Sequence, residues 1–370
     1  MSETTPTFEP ERARRAVRQG LWTIGLTVLA AAAALLAAAQ HPLASQALTD
    51  LRGRAQASSL VAATVLMSFA FVIMSLRWRA LMPATNKPPV FGLTSIILAG
   101  LLLNYAVPGP FGELAAAWFA HRRYGLQLAD AMASGVGARL IGLASAALMA
   151  ALIGLFAPLP IDPRLNDAVL IGAAAVGAGG LMLLALAARP APIIRGVDRA
   201  VNAAAGPGPL RTIVRKGLGA VRALAEASHR VALGGPARLL PALGWSTLGH
   251  FTVIAGILIA LDGLNATPSP IGVAFTYAIT TASSVLLFAL PGSQFGWDAL
   301  FATLLSQAGG ASEVDALATA GLVRAQQLLY MVIGAIAVAG LLRQTLGPSP
   351  GHPAGPPPDP ATEHKPGAPR

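Results

Sequence analysis

The chain has 370 residues, of which 54% are hydrophobic and 11% charged, and its mean hydropathy is +0.62. This composition excludes an ordinary soluble protein and indicates an all-α, polytopic integral membrane protein. The lack of cysteine excludes disulfides and thiolate metal sites, and we expect no metal and no cofactor. The net charge of +10 does not indicate nucleic-acid binding, because the arginines lie in short loops between apolar runs.

Six apolar segments approach or exceed the length of about 20 residues that spans a bilayer. The first follows the basic start ERARRAVR and is too long for the core of a signal peptide, so we interpret it as an uncleaved transmembrane helix. The predicted spans are residues 20–40, 57–76, 127–155, 167–187, 239–262 and 314–342.

Two further apolar stretches, residues 91–121 and 271–307, are interrupted by a proline-glycine pair. Each predicts a membrane-embedded helical hairpin, because lipid does not satisfy the backbone groups that the break exposes. The alternative is that the pair only turns a short hairpin and has no role in binding. The predicted breaks comprise Pro108, Gly109 and Gly112 in the first hairpin and Pro291, Gly292 and Gly296 in the second.

The two hairpins belong to an internal duplication. PGPFGEL at 108–114 recurs loosely as PGSQFGWDAL at 291–300, and the same downstream pattern follows each copy. Glycine, aspartate and arginine recur at equal spacing in this pattern, as Gly125, Asp130 and Arg139 and as Gly310, Asp315 and Arg324.

Lysines and arginines between the apolar segments predict the orientation of the chain. Arginines near the N-terminus, Arg122 and Arg123 after the first hairpin, and the basic segment 188–238 place these parts in the cytoplasm. The cytoplasmic end of the second predicted span is marked by Arg77, Arg79 and Lys87. The first hairpin then opens toward the cytoplasm and the second toward the outside. This is an inverted repeat, which is common in alternating-access carriers. Arg52 and Arg54, in a predicted outer loop, do not follow the rule.

These patterns divide the chain into a cytoplasmic N-terminus, a transmembrane domain and a tail. We expect a surface-lying amphipathic helix at about 209–233 within the basic segment and disorder in the proline- and glycine-rich tail. The predicted divisions are 1–19 for the N-terminus, 20–345 for the transmembrane domain, 91–155 and 271–342 for the two repeats, and 346–370 for the tail.

Arg139 and Arg324 lie well inside apolar helices, where an arginine costs at least about 2.5–3.5 kcal/mol. Each arginine therefore needs a negatively charged partner. Asp130 is nine residues before Arg139, on the opposite face of the same helix, so the partner comes from another element. The candidates are Glu113 and Asp298 in the hairpins or a lipid phosphate; the alternative is a purely structural ion pair.

Other polar groups complete the candidate site. The helix after each break directs its N-terminal amides toward an anionic group such as a phosphodiester. Asn104 flanks the first hairpin, and His250 lies midway along a predicted span. His250 is a candidate for contacting a headgroup or relaying protons, with a structural interhelical hydrogen bond as the alternative. Asp130 and Asp315 fit first-turn residues that stabilise the helix dipole.

The repeated motifs resemble those of the lysylphosphatidylglycerol synthase transmembrane family, also described as flippase-like. The likeness extends over about residues 20–345. Glu113 matches the family's acidic position after glycine, and Arg139 and Arg324 match its two helix arginines. Asp298 lies two residues after Gly296, whereas the family usually has an acid three residues after glycine. The resemblance implies a polytopic domain that moves an aminoacylated phospholipid or other lipid-linked molecules between leaflets, here as a stand-alone member without the aminoacyl-transferase domain.

The leading hypothesis is a lipid flippase or transporter of the bacterial inner membrane, with both termini cytoplasmic. No Walker, GxSxG or similar catalytic motif is present, so we do not expect an enzyme. The expected partners are membrane lipids, namely an anionic or aminoacylated phospholipid or a polyprenyl-linked lipid, and a homo-oligomer is compatible with the sequence. The alternatives are a non-transporting scaffold that binds an envelope enzyme through segment 188–238 and, more weakly, a lipid-linked glycosyl or aminoacyl transferase.

Overall fold

A computed structural model describes residues 52–84, 87–106, 111–161, 189–203, 209–287 and 293–346, with a few separate positions between 22 and 49 and between 167 and 178. The described part is helical, as the composition predicts, and contains no strand. The helices are α1 (Ala57–Leu81), α2 (Val90–Ala106), α3 (Phe111–Tyr124), α4 (Leu128–Phe156), α5 (Ala191–Ala203), α6 (Pro209–Leu233), α7 (Gly235–Asp262), α8 (Pro270–Leu287), α9 (Ser293–Gln307) and α10 (Glu313–Leu346).

Four helices are long and apolar enough to cross a membrane: α1, α4, α7 and α10. They confirm helices of spanning length at four of the predicted segments. The other two predicted spans, 20–40 and 167–187, lie almost wholly outside the described residues, as do the N-terminal segment and the tail after residue 346. The chain is thus a multi-pass membrane protein.

The predicted hairpins appear as two pairs of shorter helices, α2 with α3 and α8 with α9, and the members of each pair pack against each other. Pro108, Gly109, Pro291 and Gly292 lie outside the described residues. Gly112 and Gly296 lie in the first turns of α3 and α9.

Gly112 allows the two arms of the first hairpin to approach closely. A Cβ atom at this position would lie 2.1 Å from the carbonyl oxygen of Gly100 on α2. Because this nearest atom belongs to the backbone, a side chain would force the two helices apart, so only glycine fits at this spacing. Gly112, which the sequence predicted in the break, therefore lies in α3 and serves its packing against α2.

Helices α1 and α7 are antiparallel and pack along most of their length. Gly263 at the end of α7 faces Ser59 at the start of α1, and Gly256 faces Met67. Toward the other end, Arg77 of α1 reaches Ser246 of α7. Small residues on α7 permit this close contact between helices.

The remaining contacts follow the duplication. In the first repeat α3 packs on α4, and in the second α9 packs on α10. Across the repeats, α2 packs on α10 and α8 packs on α4. Exchanging α1–α4 for α7–α10 therefore reproduces these helix pairs, so we extend the predicted repeats by one helix each, α1 and α7. Because α1 and α7 are antiparallel, the two repeats run in opposite directions.

Helix α6 occupies the position predicted for the amphipathic helix and packs mainly on α4. Its apolar face contributes Leu224, Ala227 and Val231 to the core formed with α1–α4. Its exposed face includes Arg222, which forms ion pairs with Asp198 of α5 and with Glu226. The helix is thus bound to the bundle through its apolar stripe.

Candidate functional site

A cavity of about 350 Å³ lies in the bundle between the two repeats. Helices α1–α4 of the first repeat and α7 and α8 of the second form its wall, which is mostly apolar. The polar side chains of the lining are Arg77, Asn104, Glu113, Arg139, Ser246, His250, Tyr277 and Thr281.

Arg139 and Glu113 form an ion pair at this cavity. Arg139 lies eleven residues after the first residue of α4, or about 16 Å along the helix axis, and Glu113 lies in the first turn of α3. The structure therefore brings the predicted helix arginine to the predicted hairpin acid. Their side chains keep 35% and 23% of their surface accessible, so both can meet a ligand.

Asn104 joins the two arms of the first hairpin beside this pair. Its side-chain amide donates to Glu113 Oε1 over 3.3 Å, and its Oδ1 accepts from the backbone N–H of Gly112 over 2.8 Å. One N-terminal amide of α3 is thereby already satisfied within the protein. Asn104 thus positions Glu113 as well as lining the cavity.

The second repeat forms the equivalent ion pair at a different place. Arg324, eleven residues after the first residue of α10, donates from Nε to both carboxylate oxygens of Asp298, at 2.6 and 2.8 Å. Its guanidinium lies 5.4 Å from the ring centroid of Trp297 and also contacts Gln327. Neither Arg324 nor Asp298 lines the cavity, so their role in substrate binding stays a prediction.

His250 is 6% exposed and has partners on two other helices. Its Nε2 lies 3.0 Å from the carbonyl oxygen of Gly142 and 2.8 Å from Ser145 Oγ, both on α4. Its Nδ1 lies 3.0 Å from the Tyr277 hydroxyl on α8. Because a carbonyl oxygen only accepts, Nε2 carries a proton; in the neutral ring, Nδ1 then accepts from the Tyr277 hydroxyl. This arrangement ties three helices together and agrees with the interhelical alternative for this residue.

Arg77 is a cavity residue that sequence reasoning missed, because it was interpreted only as a marker of a cytoplasmic helix end. Its Nη1 donates to Ser246 Oγ over 3.2 Å. A Cβ atom at Gly142 would lie 2.3 Å from the same Nη1, so the guanidinium occupies the space left by that glycine. The neighbouring Arg79 instead donates to the Pro88 carbonyl and does not line the cavity.

Only helical spacing could have distinguished Arg77 from Arg79. Arg77 lies three residues after Met74 and four after Ile73, which also line the cavity, whereas Arg79 lies off this stripe. Tyr277, Ser145 and Ser246 were likewise missed, because single hydroxyl residues in apolar helices form no distinctive motif. The structure adds them to the site.

The two predicted helix-start aspartates each bind an arginine from another element. Asp130 of α4 accepts from Arg230 of α6 at 2.6 and 3.0 Å. Asp315 of α10 pairs with Arg54 at 2.5 Å, and Arg54 also donates to the Leu264 carbonyl over 2.7 Å. Each arginine precedes the first helix of a repeat, α7 or α1. The ion pair with Asp315 explains why Arg54 departs from the loop-charge rule.

Comparison with known proteins supports the resemblance found in the motifs. Searches of curated proteins and of solved structures gave no match. The family model described as "Lysylphosphatidylglycerol synthase TM region" matches residues 22–334, which include every described helix up to most of α10. The chain therefore belongs to the family of lysylphosphatidylglycerol synthase transmembrane regions.

Proposed function

We propose that this protein binds the headgroup of a phospholipid or lipid-linked molecule in the central cavity and moves the lipid between the two leaflets. The observation that carries the proposal is the cavity itself, where Arg139, Glu113 and Arg77 meet within an apolar wall formed by both repeats. Intramembrane charges that line a cavity are typical of substrate pathways. Membership of a family named for a lipid synthase supports a lipid as the substrate.

The Arg139–Glu113 pair gives the site a resting state. While no ligand is bound, Glu113 compensates the guanidinium in its apolar surroundings. A lipid phosphate entering the cavity presents a competing set of oxygens to Arg139. When the phosphate replaces Glu113 as the partner of Arg139, the positive charge of the arginine stays compensated throughout the transport cycle.

The duplication supports transport rather than binding alone. The antiparallel direction of α1 and α7 supports opposite orientations of the two hairpins, and carriers with such repeats expose a central site alternately to each side. The loop charges favour the bacterial plasma membrane with both termini cytoplasmic. We therefore propose a transporter and not an enzyme.

The test is lipid movement in vesicles that contain the purified protein. A fluorescent phospholipid in the inner leaflet becomes accessible to an added quencher only after it has crossed. We expect Arg139→Ala to slow the crossing at least about tenfold, since a charged hydrogen bond to phosphate is lost. Arg222→Ala, on the exposed face of α6, is the matched control and should move lipid at the wild-type rate.

Arg324→Ala belongs in the same experiment, because the second ion pair lies away from the cavity. A slower rate in this variant would show that the second repeat also takes part in the cycle. If Arg139→Ala and Arg324→Ala both move lipid at the wild-type rate, the proposed mechanism is wrong. Absence of any protein-dependent movement in the wild type would favour the scaffold hypothesis.

A further inference from the structure

We infer that the cavity selects lipids whose headgroup carries a net negative charge, and that Arg77 is the residue that sets this preference. A phosphodiester with uncharged hydroxyl substituents fits this description, whereas an aminoacylated headgroup with added ammonium groups does not. The inference rests on the proposed function and narrows its substrate class.

The charges of the lining lead to this selection. The lining contains two arginines, Arg77 and Arg139, and one carboxylate, Glu113, so the described lining has one positive charge in excess. A neutral His250 adds none; in that form Nε2 donates to the Gly142 carbonyl and Nδ1 accepts from the Tyr277 hydroxyl. A headgroup with one phosphate and no amine balances the excess, whereas a headgroup of net positive charge increases it. In apolar surroundings such an imbalance is strongly unfavourable.

Arg77 has the donor capacity that a phosphate requires. One of its terminal nitrogens donates to Ser246 over 3.2 Å. Its Nε is buried and has no hydrogen-bond partner within the described part of the chain. A buried guanidinium nitrogen without an acceptor is unfavourable, and a phosphate oxygen is an acceptor of the right charge and geometry.

The uncharged polar side chains of the cavity suit the part of the headgroup beyond the phosphate. Ser246, Tyr277 and Thr281 line the same cavity and carry hydroxyls, which can hydrogen-bond to headgroup hydroxyls without adding charge. The apolar wall, which includes Ile73 and Met74, suits acyl chains or the glycerol ester region. We therefore infer a lipid and not a free phosphate compound.

The experiment measures the binding of lipids by the intact, detergent-solubilised protein, using native mass spectrometry and equimolar mixtures. The probes share the same acyl chains and are phosphatidylglycerol, phosphatidylethanolamine and lysylphosphatidylglycerol, with net charges of about −1, 0 and +1 from their ionisable groups. We expect wild type to retain phosphatidylglycerol about tenfold over either competitor, because each competitor leaves at least one positive charge of the cavity uncompensated. Glycerol 3-phosphate, which has the phosphate without acyl chains, should not displace the lipid.

Two arginine variants on α1 distinguish the effect of cavity charge on lipid preference from the effect of the net charge of the protein. Arg77→Gln removes the excess positive charge and should abolish the preference for phosphatidylglycerol over phosphatidylethanolamine. Arg79→Gln changes net charge equally but lies outside the cavity and should keep the wild-type preference. The wild-type ranking alone tests the inference should Arg77→Gln fail to fold.

The outcomes also distinguish this inference from the proposed function. Equal retention of all three lipids, or preference for the lysyl lipid, by a protein that still moves lipid overturns the selectivity and leaves the transport proposal intact. Displacement by glycerol 3-phosphate overturns the lipid class. If the protein neither retains nor moves any of the lipids, the proposed function fails and the selectivity fails with it.

Discussion

Two arginine–carboxylate pairs at equivalent positions of the repeats have different surroundings. Arg139 and Glu113 face the cavity, while Arg324 and Asp298 lie away from it, with Trp297 and Gln327 beside the guanidinium. A pair that faces a cavity can exchange partners with a ligand. A pair that lies away from the cavity serves mainly to compensate its own charges.

This difference predicts a structural role for the Arg324–Asp298 pair. Asp298→Ala should lower the free energy of unfolding by about 2 kcal/mol, since it leaves a half-buried guanidinium without its carboxylate. The double variant Asp298→Ala, Arg324→Ala should recover part of that loss, because no uncompensated charge remains. Unfolding of the detergent-solubilised variants, followed by circular dichroism against denaturant, measures both effects.

The Arg324→Ala single variant completes the thermodynamic cycle for this pair. Strict additivity of the two single substitutions would show that Arg324 and Asp298 do not stabilise each other. The pair would then be free to serve a ligand.

At the residue scale, the sequence could identify site arginines that lie deep in an apolar helix. It could not identify site arginines near a helix end, where arginine is common. Arg139 and Arg324 stand out because charge is rare deep in an apolar helix, and a nearby acid follows as the partner. Arg77 lies near a helix end, where arginine is common, so its burial depends on packing against Gly142 of a distant helix. Such tertiary contacts have no local pattern in the sequence.

At the scale of elements, the ion pairs at the starts of α4 and α10 connect each repeat to the other. Arg230 precedes α7 and binds Asp130, while Arg54 precedes α1 and binds Asp315. The first residues of the two long helices are thus held by equivalent contacts at opposite ends of the bundle. The sequence predicted the aspartates as first-turn residues, but their partners lie 100 or more residues away in the chain.

The two pairs differ in burial, and this predicts different effects of substitution. The Asp315 side chain is 8% exposed and its arginine 27%, whereas Arg230 is 48% exposed. Arg54→Ala should therefore destabilise the fold by about 2–4 kcal/mol, and Arg230→Ala by no more than about 1 kcal/mol. Thermal unfolding of the purified variants gives the comparison.

Arg52→Ala provides the matched control for the outer pair. Arg52 is two residues before Arg54 and is exposed, so its removal should leave the unfolding temperature unchanged. Equal unfolding temperatures for Arg54→Ala, Arg52→Ala and wild type would contradict a structural role for the Asp315 pair.

At the scale of the whole molecule, the inverted arrangement follows from two kinds of observation. The recurring motif spacing shows that the repeats are related, and the direction of α1 against α7 shows how they are related. The four long helices and both hairpins could be predicted from apolar length and proline-glycine breaks. The position of the cavity could not, because it depends on which helices of the two repeats meet.

The inverted arrangement predicts opposite sidedness for two equivalent loops. Ala84 follows α1 and Thr267 follows α7, and both are exposed. Since α1 and α7 are antiparallel, their C-terminal ends lie at opposite ends of the bundle. The chain has no cysteine, so Ala84→Cys and Thr267→Cys each introduce a single reactive thiol with little change in side-chain size.

A membrane-impermeant maleimide applied to intact spheroplasts should label Thr267→Cys at once and Ala84→Cys only after the membrane is permeabilised. The loop charges assign these sides, with the α1–α2 loop cytoplasmic. The reverse pattern would keep the inverted repeat but place the termini outside the cell. Labelling of both thiols from the same side would exclude the inverted repeat, and with it the argument that the central cavity opens alternately to the two leaflets.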